Sequence, residues 1–259
     1  MKKEWLVKTL AMGVVVLFVS VSFQPLIAEN TIAVGKEPDY INMGFEQAKE
    51  YLFQTLIDIF NNPKINGFLN EHKQDLITNN CNKCECKNTI KKIRLQNPKL
   101  LKSILLTKPE MTYEYLEKSY NTGLEMINII GEEKSLKIVE SVKIANSKLF
   151  IELKNIIAND KELSNKILVL EEMNKELKPY STYYPIYCCI LLIILINFLI
   201  KHVFFLVLYD FFYKIFPSFK LFERIVYFYV FMVTITFFLM VELDCADYPT
   251  PPHLSSYKS

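Results

Sequence analysis

Two long runs without a charged residue constrain the fold of this chain more than any other feature. The first run covers residues 183–200, and after a short polar break its apolar pattern continues to Leu208. The second run covers residues 225–241. A helix of about 20 apolar residues is long enough to cross the hydrocarbon core of a bilayer. We therefore predict two membrane spans, at about 183–208 and 222–241.

The N-terminus has the organisation of an export signal. Basic residues precede an apolar run from Leu10 to Phe23, and a short stretch that ends at Ala28 follows, just before a polar segment. Residues 1–28 are therefore predicted to be a signal peptide. An uncleaved anchor is the alternative, because Leu26 is larger than the residue preferred three positions before the cleavage site. The leader MKKEWLVKTLAMGVVVLFVSVSFQP resembles leaders of uncharacterised archaeal exported and membrane proteins, and this resemblance implies no activity.

The charges around the two spans predict their orientation. The stretch from Lys201 to Arg224, which includes the connector and the adjoining ends of the spans, carries the basic residues Lys201, Lys214, Lys220 and Arg224. The tail, residues 242–259, is mainly acidic and predicted to be disordered. Because cytoplasmic loops are enriched in Lys and Arg, we predict a multi-pass protein of the cell membrane with a cytoplasmic connector. Residues 29–180 and the tail should then both lie outside the cytoplasm.

Residues 29–180 have the periodicity of helices and no sustained alternation typical of strands. The first apolar stripe, with steps of three and four residues, consists of Phe45, Ala48, Leu52, Leu56 and Ile59. The pairs Asn62-Pro63 and Asn97-Pro98 are typical helix starts, and Gly131 is a typical helix end. We predict an all-α protein, in which an exported multi-helix domain is followed by a two-helix transmembrane hairpin.

Three segments near the spans need a separate interpretation. Residues 163–177 have heptad spacing over only about two repeats, so a core helix is favoured over a coiled coil. The Phe-rich residues 203–222 either lie in the headgroup layer or prolong the first span as far as a turn at 216–218. Lys201 is expected to extend its ammonium group from the first span towards lipid headgroups.

The cysteines are interpreted mainly as disulfide partners, because an exported chain reaches a compartment where disulfides form. The candidates, all placed on one side of the membrane by the predicted topology, are Cys81, Cys84, Cys86 and Cys245. A bond within residues 81–86 would leave the third thiol of that cluster to pair with Cys245. Cys188 and Cys189 lie within the first span and are interpreted as small apolar side chains.

The same cluster offers two alternative chemistries. In the pattern C-x-x-C-x-C three thiolates could bind zinc, with Cys245 or His72 as the fourth ligand. A redox role is possible if the neighbouring lysines favour the thiolate. We favour disulfides over both, because the sequence has only one such motif and export favours oxidation. No cofactor is predicted.

Charge is segregated within the exported region. Residues 81–108 contain eight basic residues and one acidic residue, a net charge of +7, whereas residues 109–140 contain seven acidic and three basic residues, a net charge of −4. The basic surface candidates are Lys87, Lys91, Lys92, Arg94, Lys99 and Lys102. They either contact anionic headgroups or an acidic partner, or pack against the acidic segment, which is the favoured interpretation.

The sequence favours a non-catalytic role. It lacks the sequence motifs of zinc metalloproteases, α/β-hydrolases and phosphate-binding loops, so we expect no enzymatic activity. Nucleic-acid binding is not expected either, because the exported region has no overall basic charge. The leading hypothesis is a membrane-anchored structural or interaction protein, with a protein partner or as a homo-oligomer. A thiol-based redox or metal-handling membrane protein and a small oligomeric channel are the alternatives.

Overall fold

A computed structural model describes residues 45–73, 90, 92–93, 95–100, 110–140, 147–176, 186–215 and 221–245. The predicted leader and most of the predicted tail lie outside these ranges. Within them the chain is helical and contains no strand, which confirms the all-α fold class.

The helices are, in chain order, α1 (Phe45–Asn61), α2 (Pro63–Glu71), α3 (Tyr113–Ile130), α4 (Glu132–Glu140), α5 (Ser147–Ala158), α6 (Lys161–Glu176), α7 (Ile186–Ile215) and α8 (Leu221–Glu242). We call α7 and α8 together the hairpin. Its open end is the end at which α7 begins and α8 finishes. Both hairpin helices are long and apolar enough to cross a membrane, as predicted.

Several helix boundaries coincide with the predicted capping residues. The side chain of Asn62 accepts hydrogen bonds from two main-chain N–H groups in the first turn of α2, at 3.0 and 3.3 Å. Asn97 accepts a hydrogen bond from the Leu100 N–H at 3.1 Å and so caps the helical turn 98–100. α3 ends at Gly131, whose φ of 97° suits glycine far better than residues with a Cβ. These local predictions are confirmed.

The caps of α2 and α6 are also bonded to each other. Asp160 precedes α6, and its Oδ1 accepts a hydrogen bond from the Leu163 N–H at 3.2 Å. Its Oδ2 accepts a second bond from the side-chain amide of Asn62 at 2.9 Å. The pKa of the Asp160 carboxyl group is lowered, chiefly by the hydrogen bond from the Leu163 N–H. Burial raises this pKa, but the hydrogen bond from Asn62 lowers it further, so the net shift is downward.

α7 is the central helix of the bundle. It packs against α1, α3, α4 and α8, while α6 packs on α1 and α5. In the apolar stretches of α7 and α8, 83% and 61% of the residues are buried within the protein. After Leu206 the central helix begins to leave the bundle, since Val207 and Asp210 are exposed. The two predicted spans therefore form the core around which the other helices fold.

The remaining helix predictions agree with the described residues where they can be compared. α6 covers most of residues 163–177 and buries Leu163, Ile167 and Leu170 in the bundle, as expected of a core helix. α7 continues without a break to Ile215. This continuity favours the interpretation in which part of residues 203–222 prolongs the first span.

Candidate functional site

The hairpin is the candidate functional site because it has no polar face. Every residue of α7 from Tyr187 to Ile196 is apolar and buried. A helix on the surface of a globular protein normally has a single apolar stripe, whereas a helix that is apolar all round is a deeply buried core helix or a membrane span. In the described structure, other helices of the protein cover this helix.

A disulfide closes the open end of the hairpin. Cys188, near the start of α7, is bonded to Cys245, just after α8, with an S–S distance of 2.01 Å and a Cα–Cα distance of 5.4 Å. The predicted pairing of Cys245 with the 81–86 cluster is therefore wrong. The interpretation of Cys188 as a simple apolar side chain is wrong as well. Antiparallel packing of the two helices brings their open ends together, and the sequence of each span taken alone does not indicate this pairing.

Two long amphipathic helices, α1 and α3, pack against the hairpin together with the short α4 that follows α3, and we call α1 and α3 the sheath. Gly123, within α3, marks a close approach between sheath and hairpin. A Cβ atom added at this position would overlap the main-chain carbonyl oxygen and the side chain of Ile193. The absence of a side chain at Gly123 therefore allows α3 to lie directly on the backbone of α7.

Tyr115 of α3 joins the sheath to both hairpin helices. Its hydroxyl group is hydrogen-bonded to that of Tyr229 in α8, at 3.2 Å. Its ring stacks on Phe198 of α7, with 6.3 Å between the ring centres, and meets Phe228 of α8 edge-on at 5.8 Å. Burial, and then the neighbouring Tyr229, raise the pKa of Tyr115 well above its ordinary value. The phenol therefore stays protonated and able to donate.

α5 and α6 hold the open end of the hairpin through polar bonds and through packing of Phe150 on Phe237 and Phe238. Lys154 of α5 forms an ion pair with Glu242 at 2.7 Å. Asn174 of α6 is buried, and its side-chain amide donates to the main-chain carbonyl of Leu243 at 2.7 Å. The two polar contacts lie at the end of α8, beyond its apolar run.

Three polar residues of α7 lie inside the bundle. These residues, which we call the polar cluster, are Asn197, Lys201 and His202. Neither side-chain polar atom of Asn197 has a hydrogen-bond partner among the described residues, nor does Nδ1 of His202. An unpartnered buried polar group costs about 1–3 kcal/mol. The packing around α7 is therefore less favourable at this level than fully apolar packing would be.

Lys201 lies under two tyrosine rings rather than extending outwards. Its Nζ is 5.1 Å from the ring centre of Tyr115 and 6.0 Å from that of Tyr229. Within the described part of the chain no carboxylate forms an ion pair with it. The electron-rich faces of the rings stabilise the cation instead. The expectation that Lys201 reaches towards headgroups therefore does not describe this arrangement, in which α3 covers the lysine.

The outer face of the sheath is charged at the level of the apolar hairpin. Tyr115 contacts Phe198 and Gly123 lies against Ile193, so the part of α3 between them runs alongside the middle of α7. The exposed charged residues of this helix include Glu114, Lys118 and Glu125. Charged side chains at the centre of a bilayer cost about 2.5–3.5 kcal/mol each. The sheathed bundle therefore requires water, not lipid, around it.

The basic candidates are described only in part. Lys92 is half-buried, and its Nζ donates to the main-chain carbonyl of Ile130 at 3.4 Å, at the C-terminus of α3. This contact suits a cation, because a helix C-terminus carries partial negative charge. The contact joins Lys92 to a main-chain carbonyl and not to a carboxylate, so the interpretation that the basic and acidic segments neutralise each other stays a prediction. Lys99 is exposed; Lys87, Lys91, Arg94 and Lys102 lie outside the described residues.

The cysteine cluster formed by Cys81, Cys84 and Cys86 lies outside the described residues, so its disulfide and zinc interpretations stay predictions. The described part does remove one candidate ligand, because Cys245 is bonded to Cys188. His72 is the other fourth ligand considered, and its Nδ1 lies 3.0 Å from the Phe68 carbonyl oxygen. Among the described side chains no group of three or more His, Cys, Asp or Glu residues is arranged to hold a metal ion.

The residues that sequence reasoning missed belong to the sheath contact. Gly123 and Tyr115 lie within an ordinary amphipathic pattern, and only an unusually small residue inside a helix could have drawn attention to the first. Comparisons of the chain with protein-family models, with curated proteins and with solved structures found no match.

Proposed function

We propose that this chain is an exported, non-catalytic helical protein that associates with the membrane through its hairpin and has a structural or interaction role. The observation that carries this proposal is the bond between Cys188 and Cys245. Disulfides persist in extracytoplasmic compartments and are rare in the cytosol. A bond at the open end therefore supports a location of that end outside the cytoplasm, in agreement with the predicted export signal.

The bond also supports an even number of crossings whenever the hairpin is in a membrane. It joins the start of α7 to the end of α8, so these two points lie on the same side of any bilayer that the hairpin enters. The connector, with its basic residues, is then the part that faces the cytoplasm. Residues 29–180 and the tail stay outside, where the charged helices can meet a protein partner or another copy of the chain.

The experiment combines extraction with sidedness. A tag is placed after Ser259 in one version and between Pro217 and Ser218 in another, and membranes are washed with alkaline carbonate. We expect part of the protein to resist extraction. In that fraction the tag after Ser259 should be accessible from outside sealed cells, and the connector tag should be protected. Complete release by carbonate would contradict membrane association through the hairpin.

Thiol chemistry tests the compartment independently. The protein is alkylated without reductant and its peptides are analysed by mass spectrometry. Cys188 and Cys245 should be protected from alkylation and recovered as one linked peptide pair, and they should become reactive after reduction. Full alkylation of both thiols in freshly isolated protein would indicate a reducing compartment and contradict export. Crosslinking in intact membranes then identifies a partner or a second copy.

A further inference from the structure

The sheathed hairpin poses a problem that the proposed function does not solve. If the hairpin spans a bilayer, α3 cannot stay where it is, because its charged outer face lies level with the middle of α7. Lipid would have to surround Glu114, Lys118 and Glu125. Association with a membrane through the hairpin therefore requires the sheath to move away.

The sheath is suited to such a movement. Its two helices have an apolar face towards the hairpin and a charged face towards water, which is the composition of helices that lie flat in the headgroup layer. Acyl chains are as apolar as the side chains that now cover the hairpin. Lipid can therefore replace the sheath around α7 and α8, and the sheath can place its own apolar faces at the membrane surface.

The two ends of the hairpin are held differently. The disulfide between Cys188 and Cys245 closes the open end covalently, and the Lys154–Glu242 ion pair joins the same end to α5. None of these bonds involves the sheath. Separation of α1 and α3 from the hairpin therefore leaves α7 and α8 as one unit, still attached to the rest of the protein at its open end.

Lys201 can be accommodated in a bilayer once the sheath has left. Lys201 depends on the rings of Tyr115 and Tyr229 to stabilise its charge. In a span that begins at Ile186, Lys201 lies about 22 Å along the helix at 1.5 Å per residue. From that depth its side chain can reach the headgroups of the far leaflet.

We propose that the hairpin inserts into lipid bilayers when α1, α3 and the short α4 that follows α3 separate from it, and that the sheathed bundle is the water-soluble form of a membrane-inserting protein. This inference rests on the proposed function and gives it a mechanism. The ligand of the exposed hairpin is the bilayer itself, and the contact that must open is the one made by Tyr115 and Gly123.

The test uses the full chain and one fluorescent reporter. Trp5 is the only tryptophan, so the variants Trp5→Phe and Phe231→Trp together provide a single reporter on the hairpin. Phe231 lies near the middle of α8 and lines a cleft together with Phe60 of α1, so it faces lipid once the sheath has separated. Purified protein is mixed with vesicles of phosphatidylcholine and phosphatidylglycerol that carry bromine deep in their acyl chains. Flotation measures binding, and quenching of the reporter measures insertion.

Two substitutions loosen the sheath in different ways, and each has a matched control. Gly123→Ala forces a methyl group against Ile193, whereas the control Gly67→Ala adds a methyl group where nothing lies within 4 Å. Tyr115→Phe removes the hydrogen bond to Tyr229 without adding volume. Its control, Tyr113→Phe, alters a tyrosine of the same helix that is 40% exposed and packs on Phe53 of α1.

At limiting lipid we expect Gly123→Ala to raise the inserted fraction about tenfold, because overpacking of this size destabilises a tight contact substantially. Tyr115→Phe should raise it about fivefold, the effect of one lost hydrogen bond. Both controls should match the parent protein. If Gly123→Ala does not fold, Tyr115→Phe alone decides the result.

Three results would overturn the inference. Flotation without quenching in every variant would mean that the protein binds at the surface and keeps its sheath, so the inference would fail while membrane association survived. Complete quenching in every variant at all lipid concentrations would mean that no sheathed form exists in water. Equal quenching of Tyr115→Phe and Tyr113→Phe would mean that the sheath contact does not control insertion. Absence of flotation throughout would instead remove the proposed function itself.

Discussion

The disulfide at the open end of the hairpin allows a quantitative prediction. Replacement of Cys188 and Cys245 by alanine frees a loop closed across 57 positions, and the chain-entropy relation gives about 4 kcal/mol of lost stability for a loop of this length. A domain of this size loses roughly 2–4 °C in melting temperature per kcal/mol. We therefore expect the doubly substituted protein to melt about 8–16 °C below the parent.

The assay is thermal unfolding of the purified, sheathed protein, followed by circular dichroism with and without reductant. Cys189→Ala is the matched control, because Cys189 is the next residue along α7 and is buried, yet it does not form this bond. The control should cost only about 1 kcal/mol, the price of one small apolar group. If the double variant melts within about 2 °C of the control, the loop-entropy reasoning is wrong for this chain.

Three further predictions follow from buried or capping polar groups. Tyr115→Phe and Tyr229→Phe should each lower the free energy of unfolding by about 1–3 kcal/mol, because each leaves the other hydroxyl group without its partner. The double variant leaves neither hydroxyl group, so its loss should be smaller than the sum of the two single losses. Additive losses in urea titrations would contradict this. Asn174→Ala should lower the free energy of unfolding by about 1–3 kcal/mol, because it leaves the buried Leu243 carbonyl without its donor. Amide hydrogen exchange at the end of α8 should become faster, and unchanged exchange there would contradict the prediction. The folded pKa of the Asp160 carboxyl group is lowered, so its contribution to the free energy of unfolding is complete above the ordinary carboxyl pKa and is lost as the pH falls through the folded pKa. Asp160→Asn should therefore make stability depend less on pH in the acid range. An unchanged pH dependence in that range would count against the cap.

The local signals in the sequence predicted the helices well because capping and periodicity are short-range properties. Asn62, Asn97 and Gly131 each act within one turn of the chain. The two spans were equally clear, because composition alone identifies a helix without a polar face. These features do not depend on which helices become neighbours.

The sheath contact could not be predicted in the same way. Gly123 matters only because the Ile193 backbone lies against it, and these positions are 70 residues apart. The pairing of Cys188 with Cys245 likewise depends on how α7 and α8 align. Segment by segment, the sequence predicts α7 and α8 to lie in lipid and the amphipathic helices to lie in water. It contains no signal that the amphipathic helices α1 and α3 cover α7 and α8.

The paired caps at Asn62 and Asp160 have a consequence for how this chain can vary. The side-chain oxygen of Asn62 accepts the capping bonds of α2, and its side-chain nitrogen donates to Asp160, so the amide group cannot flip without losing both sets of bonds. Aspartate at position 62 would face a second carboxylate across the same gap. Exchanging both residues at once would restore one donor and one acceptor, so among sequences that share this bundle the two positions should mutate in concert.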